Sequence, residues 1–516
     1  MRIPLIAICI AFITACSPRQ ENKETNSPAP PPVEQYRPQI HFTPASGWMN
    51  DPNGMFFLDG EYHLFYQHFP DTTVWGPMHW GHAVSKDLVH WERLPIALYP
   101  DSLGYIFSGS AVVDTNNTSG FGTKDNPPVV AIFTYHDAKA EREGKNDFQT
   151  QGIAYSTDKG RTWKKYDNNP VLKNPNIRDF RDPKVSWIDE AKQWVMTLAV
   201  KDHIEFYGSP DLKKWSKLSE FGKTDGDHGG VWECPDLFKL RDETGNTKYV
   251  LFVSINPGAP NGGSGTQYFI GGFDGKRFIS DTPGKNSGWI DYGPDDYAGV
   301  TFANVPATDG RRIFIGWMSN WIYAERVPTT AWRSATTIPR TLSLHKTQNG
   351  YVVNSLPVNE LDELVSESKT LNAASDIDTL NLVTKEDSLS IPLVIDASVK
   401  KSDFVLELRN DRGQKVLVGF DPVANEFYID RGTGMPSTFH KDFLNRIRAP
   451  RIANDDTISF RAVVDVASVE LFFDKGSATL TAITFPDEVF NEILMYGKSS
   501  GISAGTIQLQ QLKPIW

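Results

Sequence analysis

A chain of 516 residues with 40% hydrophobic and 22% charged residues is too long for one ordinary domain and has the apolar content to pack two. Its net charge of -11 and pI near 5.5 exclude the basic surface that a phosphate backbone requires, so no nucleic-acid partner is expected. Three cysteines, Cys9, Cys16 and Cys234, exclude a disulfide framework.

Met1-Arg2 and the apolar run 3–13 have the charged start and short hydrophobic segment of a secretory signal, expected over residues 1–15. Ile13-Thr14-Ala15-Cys16 resembles the bacterial lipobox, which implies cleavage before Cys16 and lipidation of its thiol. Polar residues from Ser17 and the proline-rich 27–32 read as a flexible tether over 16–36. The expectation is an exported protein, lipid-anchored to the bacterial cell envelope at the outer-membrane surface or the periplasmic face.

From 37 to 344 the chain reads as short strands. Aromatic and β-branched runs such as Tyr62-His63-Leu64-Phe65-Tyr66 and 129–135 are cut by Gly, Asp and Asn turns, without an amphipathic helix. The first notable stretch is Trp48-Met49-Asn50-Asp51-Pro52-Asn53-Gly54, where the proline confines Asp51 to extended backbone. The same device recurs at Arg181-Asp182-Pro183, with a variant at Glu233-Cys234-Pro235-Asp236. Pre-positioned carboxylates are what glycosidic bond cleavage needs. Asp421-Pro422 shows that the dipeptide alone is cheap; the signal is the set of three.

Turns repeat through this region. Ser85-Lys86-Asp87-Leu88 leads to Trp91, Ser156-Thr157-Asp158-Lys159-Gly160 to Trp163, and Ser209-Pro210-Asp211-Leu212 to Trp215. The spacing is that of four-stranded blades with their loops, which predicts a β-propeller. These acids are assigned to turns, with the tryptophans packing between blades. Thirteen of the fourteen tryptophans lie between Trp48 and Trp332, so the first domain carries most of the flat rings that could line a sugar site. Residues 345–367 read as a linker. Alternating strands at 404–408, 458–464 and 468–473 predict an antiparallel sandwich over 368–516, with a packing role rather than a sugar-binding one.

Three further features carry less. His63, His68, His79, His82 and His90 lack metal-site spacing and read as strand and pocket residues. Cys234 reads as a packed thiol shaping the acid beside it. Gly262-Gly263-Ser264-Gly265 lacks the lysine and helix of a phosphate loop and is expected to be a flexible rim loop.

Taken in order, Trp48 to Gly54, Tyr66-Gln67-His68-Phe69-Pro70, Phe107-Ser108-Gly109-Ser110, Phe180-Arg181-Asp182-Pro183, Glu233-Cys234-Pro235 and Gly316-Trp317 resemble glycoside hydrolase family 32, the fructan hydrolases and invertases. Val464-Asp465 and Ser468-Val469-Glu470-Leu471-Phe472 extend the resemblance to essentially all of the mature chain. It implies an all-β protein, a five-bladed β-propeller followed by a C-terminal β-sandwich. It also implies a retaining hydrolase that releases fructose from the non-reducing ends of levan, inulin, fructo-oligosaccharides and sucrose. By the same resemblance Asp51 is the nucleophile, Glu233 the general acid/base and Asp182 the transition-state stabiliser, with Arg181 balancing their charge. Asn50, Gln67, Trp75, Ser108 and Trp317 match positions lining the terminal fructose pocket, with Phe107 as a wall. No cofactor or metal is expected. Asp51 must stay ionised, which requires hydrogen-bond donors; Asn50 and the backbone after Asn53-Gly54 are the candidates. An endo-acting enzyme is the alternative. An arabinan-type propeller hydrolase and a non-catalytic sugar-binding lipoprotein are disfavoured by the Asn-Asp-Pro-Asn-Gly run, the attached sandwich and the intact acids.

Overall fold

The computed structural model describes residues 34–284, 287–372, 377–435, 439–497 and 501–516. The expected signal, Cys16 and nearly all of the tether lie outside the described residues.

Five sheets, antiparallel apart from one short pair in the first, form the first architecture. Their innermost strands are Gly47–Leu58, Tyr105–Val113, Phe180–Ile188, Val231–Arg241 and Tyr297–Thr301. Each packs against the next and the fifth against the first, so the sheets are blades around one axis. Blade stacking buries the second strands on both faces, and this decides their composition. Val129–His136 is buried at every position and is a continuous β-branched and aromatic run. The outermost strand of the first blade, Glu92–Leu98, is largely exposed or half-buried and correspondingly polar. The ring closes where the amide of Ala303 donates to Met55 O and the amide of Phe57 to Ala303 O, and where Gly47 and Trp48 pair in parallel with Trp332 and Arg333.

The three repeated turns are built alike. The carboxylates of Asp87, Asp158 and Asp211 each accept from backbone amides two to four residues on. The indoles of Trp91, Trp163 and Trp215 donate to Leu88 O, Gly160 O and Leu212 O. The accepting residue has positive φ in all three turns; a glycine is used once and leucine is strained into the same place twice. A fourth copy, absent from the sequence reading, lies in the fourth blade. There Asp274 accepts from Lys276 and Arg277 amides, Gly275 takes the positive φ and Phe278 stands where the others have tryptophan.

The expected linker over 345–367 is corrected. Gly350–Pro357 pairs along Arg340–Thr347 as the outer strand of the fifth blade, and its mixed composition arises because an outermost blade strand packs on one face only. The connector is the 3-10 turn Asn359–Leu364, and the second domain begins at Val365. That domain is two six-stranded sheets packed face to face over an apolar core in which the rings of Phe427 and Phe473 stack at 3.9 Å.

The two domains are joined through buried charge. Arg340, fully buried in the fifth blade, donates to Asp291 and Asp296 of the propeller and to Glu470 and Thr481 of the sandwich. His41 spans Asp465 at 2.7 Å and Glu470 at 2.8 Å.

Candidate active site

All five innermost strands lose register at one depth. The shifts fall between Asn50 and Pro52, Ile106 and Gly109, Arg181 and Lys184, Glu233 and Asp236, and Tyr297 and Val300. Bulges re-aim side chains that strict alternation would send into the blade faces. Here they bring Asp51, Ser108, Asp182, Glu233 and Tyr297, one from each blade, into a single hydrogen-bonded cluster. Asp182, Cys234 and Ala298 have φ of 63°, 43° and 54°, conformations that cost about 1–3 kcal/mol each and persist only where the surroundings over-determine them. The extended backbone expected for Asp182 from Pro183 is therefore corrected: the bulge requires the left-handed region, which aspartate tolerates. The Asp182 amide is anchored on Thr134 Oγ1 at 3.0 Å.

Asn50 Nδ2 donates to Asp51 Oδ1 at 2.8 Å, and Asn50 Oδ1 is itself held by the Trp48 indole at 2.7 Å. Ser108 Oγ donates to Asp51 Oδ2 at 2.8 Å, so the second donor is this serine rather than the backbone after Gly54. Burial and then the charge of Glu233 push the Asp51 carboxyl above its ordinary range, opposed by Asn50 and Ser108. Asp182 accepts from the Cys234 amide at 3.1 Å. Burial pushes its carboxyl up, Arg181 pulls it down, and Glu233 and Asp51 push it up again, to about 7. Arg181 donates to Glu233 Oε1 through Nε at 3.1 Å and Nη2 at 2.9 Å, and to Asp179 through Nη1 at 2.7 Å. The Tyr297 phenol donates to Glu233 Oε2. Burial and three neighbouring carboxylates hold the Cys234 thiol far above the ordinary range. Its Sγ lies 3.5 Å from Asp51 and 3.6 Å from Asp182, so it is a neutral packing group between two acids.

A cavity of about 510 Å³ opens over this cluster, with Arg181 and Glu233 in its wall. Trp75, 36% exposed, and Phe107 stand at one side, their rings edge to face at 6.0 Å. Phe107 stacks on His136 at 4.2 Å, and burial drives that histidine down to about 4. Further wall comes from Glu141, Phe148, Gln149 and Asp179 and from the segment carrying Trp321, Ile322 and Tyr323. Trp317 is wholly buried behind Trp321, ring centroids 4.9 Å apart. Gln67 pairs with Asn50 across neighbouring strands. Gln67 Nε2 and Trp317 Nε1 are buried without a hydrogen-bond partner among the described residues, an arrangement that buried donors avoid unless a ligand or water completes it.

Tyr297, Gln149, His136 and Trp321 were not anticipated from sequence. Asp179, which holds Arg181, is a fifth; Trp321 follows Trp317 by four residues and Asp179 precedes the Arg181-Asp182 motif by two, so these two are legible beside motifs already noted. Tyr297 sits in Tyr297-Ala298-Gly299-Val300-Thr301, which carries no local signal. Of Gly262 to Gly265, expected to be a flexible rim loop, Gly262 is exposed but 263–265 are buried, and Ser264 accepts from the Trp321 amide at 3.0 Å. His63 and His82 face one another at 3.1 Å in the first blade, stacked on Phe56 and Phe65. One grouping of metal-ligand type, His203, Glu205 and Glu220, occurs among the described residues, but the Lys217 ammonium already sits on Glu205 at 2.5 Å.

Residues 41–355 match the family description Glycosyl hydrolases family 32 N-terminal domain, and residues 359–512 match Glycosyl hydrolases family 32 C terminal. A levanase of Bacillus subtilis (strain 168) is 46% identical over 495 residues, 94% of this chain and 71% of the relative. An extracellular exo-inulinase of Aspergillus awamori is 39% identical over 488 residues, 88% of this chain and 90% of the relative. The crystal structure of exo-inulinase from Aspergillus awamori superposes with a TM-score of 0.85 at 35% identity, covering 94% of this chain and 99% of that one. A β-fructofuranosidase from Schwanniomyces occidentalis, complexed with fructosyl-erythritol, superposes with a TM-score of 0.83 at 33% identity, covering 93% and 98%.

Proposed function

The chain belongs to glycosyl hydrolase family 32 and is a glycosidase acting on fructans; from that premise we propose a retaining enzyme that takes fructose from chain ends. The observation that carries the reading is the cluster of three carboxylates from three different blades, with Asn50 and Ser108 on Asp51 and with Arg181 and Tyr297 on Glu233.

Asp51, held by two donors, attacks C2 of a fructosyl unit. The C2–O bond breaks, its electron pair goes to the departing oxygen, and that oxygen takes a proton from Glu233. Water then attacks C2 of the fructosyl ester, gives its proton to Glu233 and frees Asp51 as carboxylate. Asp182 grips ring hydroxyls and offsets the positive charge that develops at the ring, while Arg181 keeps the group from carrying three uncompensated charges. Gln67, Asn50 and the indole N–H of Trp317 supply the remaining polar contacts to the sugar, with Trp75 and Phe107 as apolar wall.

The floor supports end-wise cleavage. Beneath the acids the five bulged strands close the ring, and Asn50, Gln67, Ser108 and Asp182 are nearly buried there. A furanose satisfied on that floor has no exit for a continuing chain. Time-resolved chromatography on levan and inulin tests this: fructose is expected as the sole early product, and an early ladder of oligosaccharides with little fructose would overturn it in favour of endo cleavage. Sucrose carries the same fructosyl end and is expected to be cut.

The relatives include enzymes described as extracellular, and the leader supports export with attachment through Cys16. A diacylglycerol on that thiol would bring two acyl chains, which meets the two-signal requirement for stable anchoring. Cys16→Ala is expected to shift the protein from the membrane to the soluble fraction with its catalytic constants unchanged; wild-type protein found wholly soluble would overturn the anchor.

A further inference from the structure

Glu233 lines the 510 Å³ cavity and on the reading above faces the departing oxygen, so part of this cavity receives the leaving side of the substrate. Much of its wall is one segment after the second strand of the fifth blade, carrying Trp321, Ile322, Tyr323, Glu325 and Arg326. Within the propeller the segment is tied by Asn320 Nδ2 to Pro294 O at 2.7 Å and by the Trp321 amide to Ser264. Its tyrosine is held from elsewhere. The Tyr323 hydroxyl donates to Asp295 Oδ1 at 2.5 Å and accepts from Arg431 Nη2 at 3.0 Å.

Arg431 belongs to the sandwich, directly after the strand Glu426–Asp430. Its Nη1 reaches Asp295 Oδ2 at 2.9 Å. Behind, its Nε donates to Phe443 O and its Nη1 to Ile483 O, both at 2.6 Å, and its guanidinium lies 3.8 Å from the Phe443 ring centre. Tyr323, Asp295 and Arg431 are 2%, 0% and 1% exposed. A planar fork fixed from behind by two carbonyls and a ring, with a carboxylate and a phenol in front, has no freedom to reorient. A buried ion pair of this kind adds little net stability over apolar packing, whereas it fixes the direction of the tyrosine absolutely.

We infer that Arg431 is a positioning residue for substrate: through Asp295 and Tyr323 the sandwich holds the Trp321–Arg326 wall, and so sets affinity for the sugar units beyond the one at the carboxylates. The sandwich thereby acts on the site without touching sugar, and this rests on the end-wise fructosidase reading.

The test is steady-state kinetics of Arg431→Gln and Arg431→Lys on sucrose and on fructo-oligosaccharides of increasing length, with calorimetric binding of the longest oligosaccharide to the same variants carrying Asp51→Ala. KM for the long substrates is expected to rise about tenfold in Arg431→Gln, more than for sucrose and more than kcat falls. Arg431→Lys, which keeps the charge on Asp295 but cannot also reach Tyr323, is expected to lie between. Tyr323→Phe should move KM the same way, and Arg431→Gln should add little to it. Should the arginine variants not fold, Tyr323→Phe, which loses one hydroxyl, decides alone. Lower thermal stability with KM unchanged at every chain length would overturn the inference, as would equal losses on all substrates. If wild type cleaves no fructoside but the Asp51→Ala protein binds oligosaccharide in an Arg431-dependent way, the brace stands and the fructosidase reading fails.

Discussion

The phenol of Tyr297 donates to Oε2 of Glu233 while Arg181 occupies Oε1, so both oxygens of one carboxylate are claimed by groups from two other blades. Tyr297 is almost wholly buried and has no freedom to swing away, which fixes the rotamer of the residue proposed to handle the proton. Tyr297→Phe is expected to lower kcat on fructo-oligosaccharides about 10- to 100-fold, the size of one hydrogen bond to a charged group. The loss should shrink on an aryl fructoside whose leaving group needs no proton. Equal losses on both substrates would show a packing effect only.

Asp51→Ala should abolish turnover with folding intact. Glu233→Ala should cost about 10²- to 10⁴-fold on natural substrates, the usual size of lost general acid catalysis. Proton NMR of the first-released sugar is expected to show the β-fructofuranose configuration retained; the inverted anomer as first product would remove Asp51 from the nucleophile's role.

Asp182 is raised from 3.8 to about 7, by burial first and then by its acidic neighbours against the pull of Arg181. A raised acid contributes stability that is full below pH 3.8 and lost as pH climbs through about 7, where the buried carboxyl must ionise. Asp182→Asn removes that penalty. Its melting temperature is therefore expected to exceed wild type at pH 8, by at most about 4 kcal/mol in stability, with the gain vanishing by pH 4 and activity lost throughout. Only the ionised carboxyl offsets positive charge at the ring, so this group is expected to make wild-type kcat/KM rise as pH climbs towards about 7. A melting difference independent of pH would contradict the burial argument.

His41 ties the domains in the opposite sense. Burial alone would lower its pKa, but Asp465 and Glu470 raise it from 6.5 to about 9. Its contribution is full below pH 6.5 and fades as pH rises through about 9. His41→Gln should destabilise the protein most at pH 6, by up to about 3 kcal/mol, with the difference closing near pH 9. On the acid side burial raises Glu470 but Arg340 and His41 bring it down to about 2, so its share is present above pH 4.5 and lost as pH falls through about 2. Melting curves of wild type and variant across pH 2 to 9 check both limbs.

By itself the sequence determined the strand-rich character, the propeller followed by a sandwich, three of the four tryptophan or phenylalanine turns, and the three proline-flanked acids Asp51, Asp182 and Glu233 as a set. These were legible because each is written in neighbouring residues: a proline after an acid, a serine and an aspartate before a tryptophan, a run of β-branched side chains. Tertiary structure decided what depends on residues far apart in the chain. Tyr297 meets Glu233 across 64 positions and Arg431 meets Asp295 across 136, separations at which no local pattern specifies a partner. The left-handed backbone of Asp182 overrode the preference imposed by Pro183 because the bulge, set by pairing with the next strand, is a property of two strands at once. The strand Gly350–Pro357 hid as a linker for a related reason. An edge strand shows its identity only through the neighbour it pairs with, and half of its surface is free to be polar.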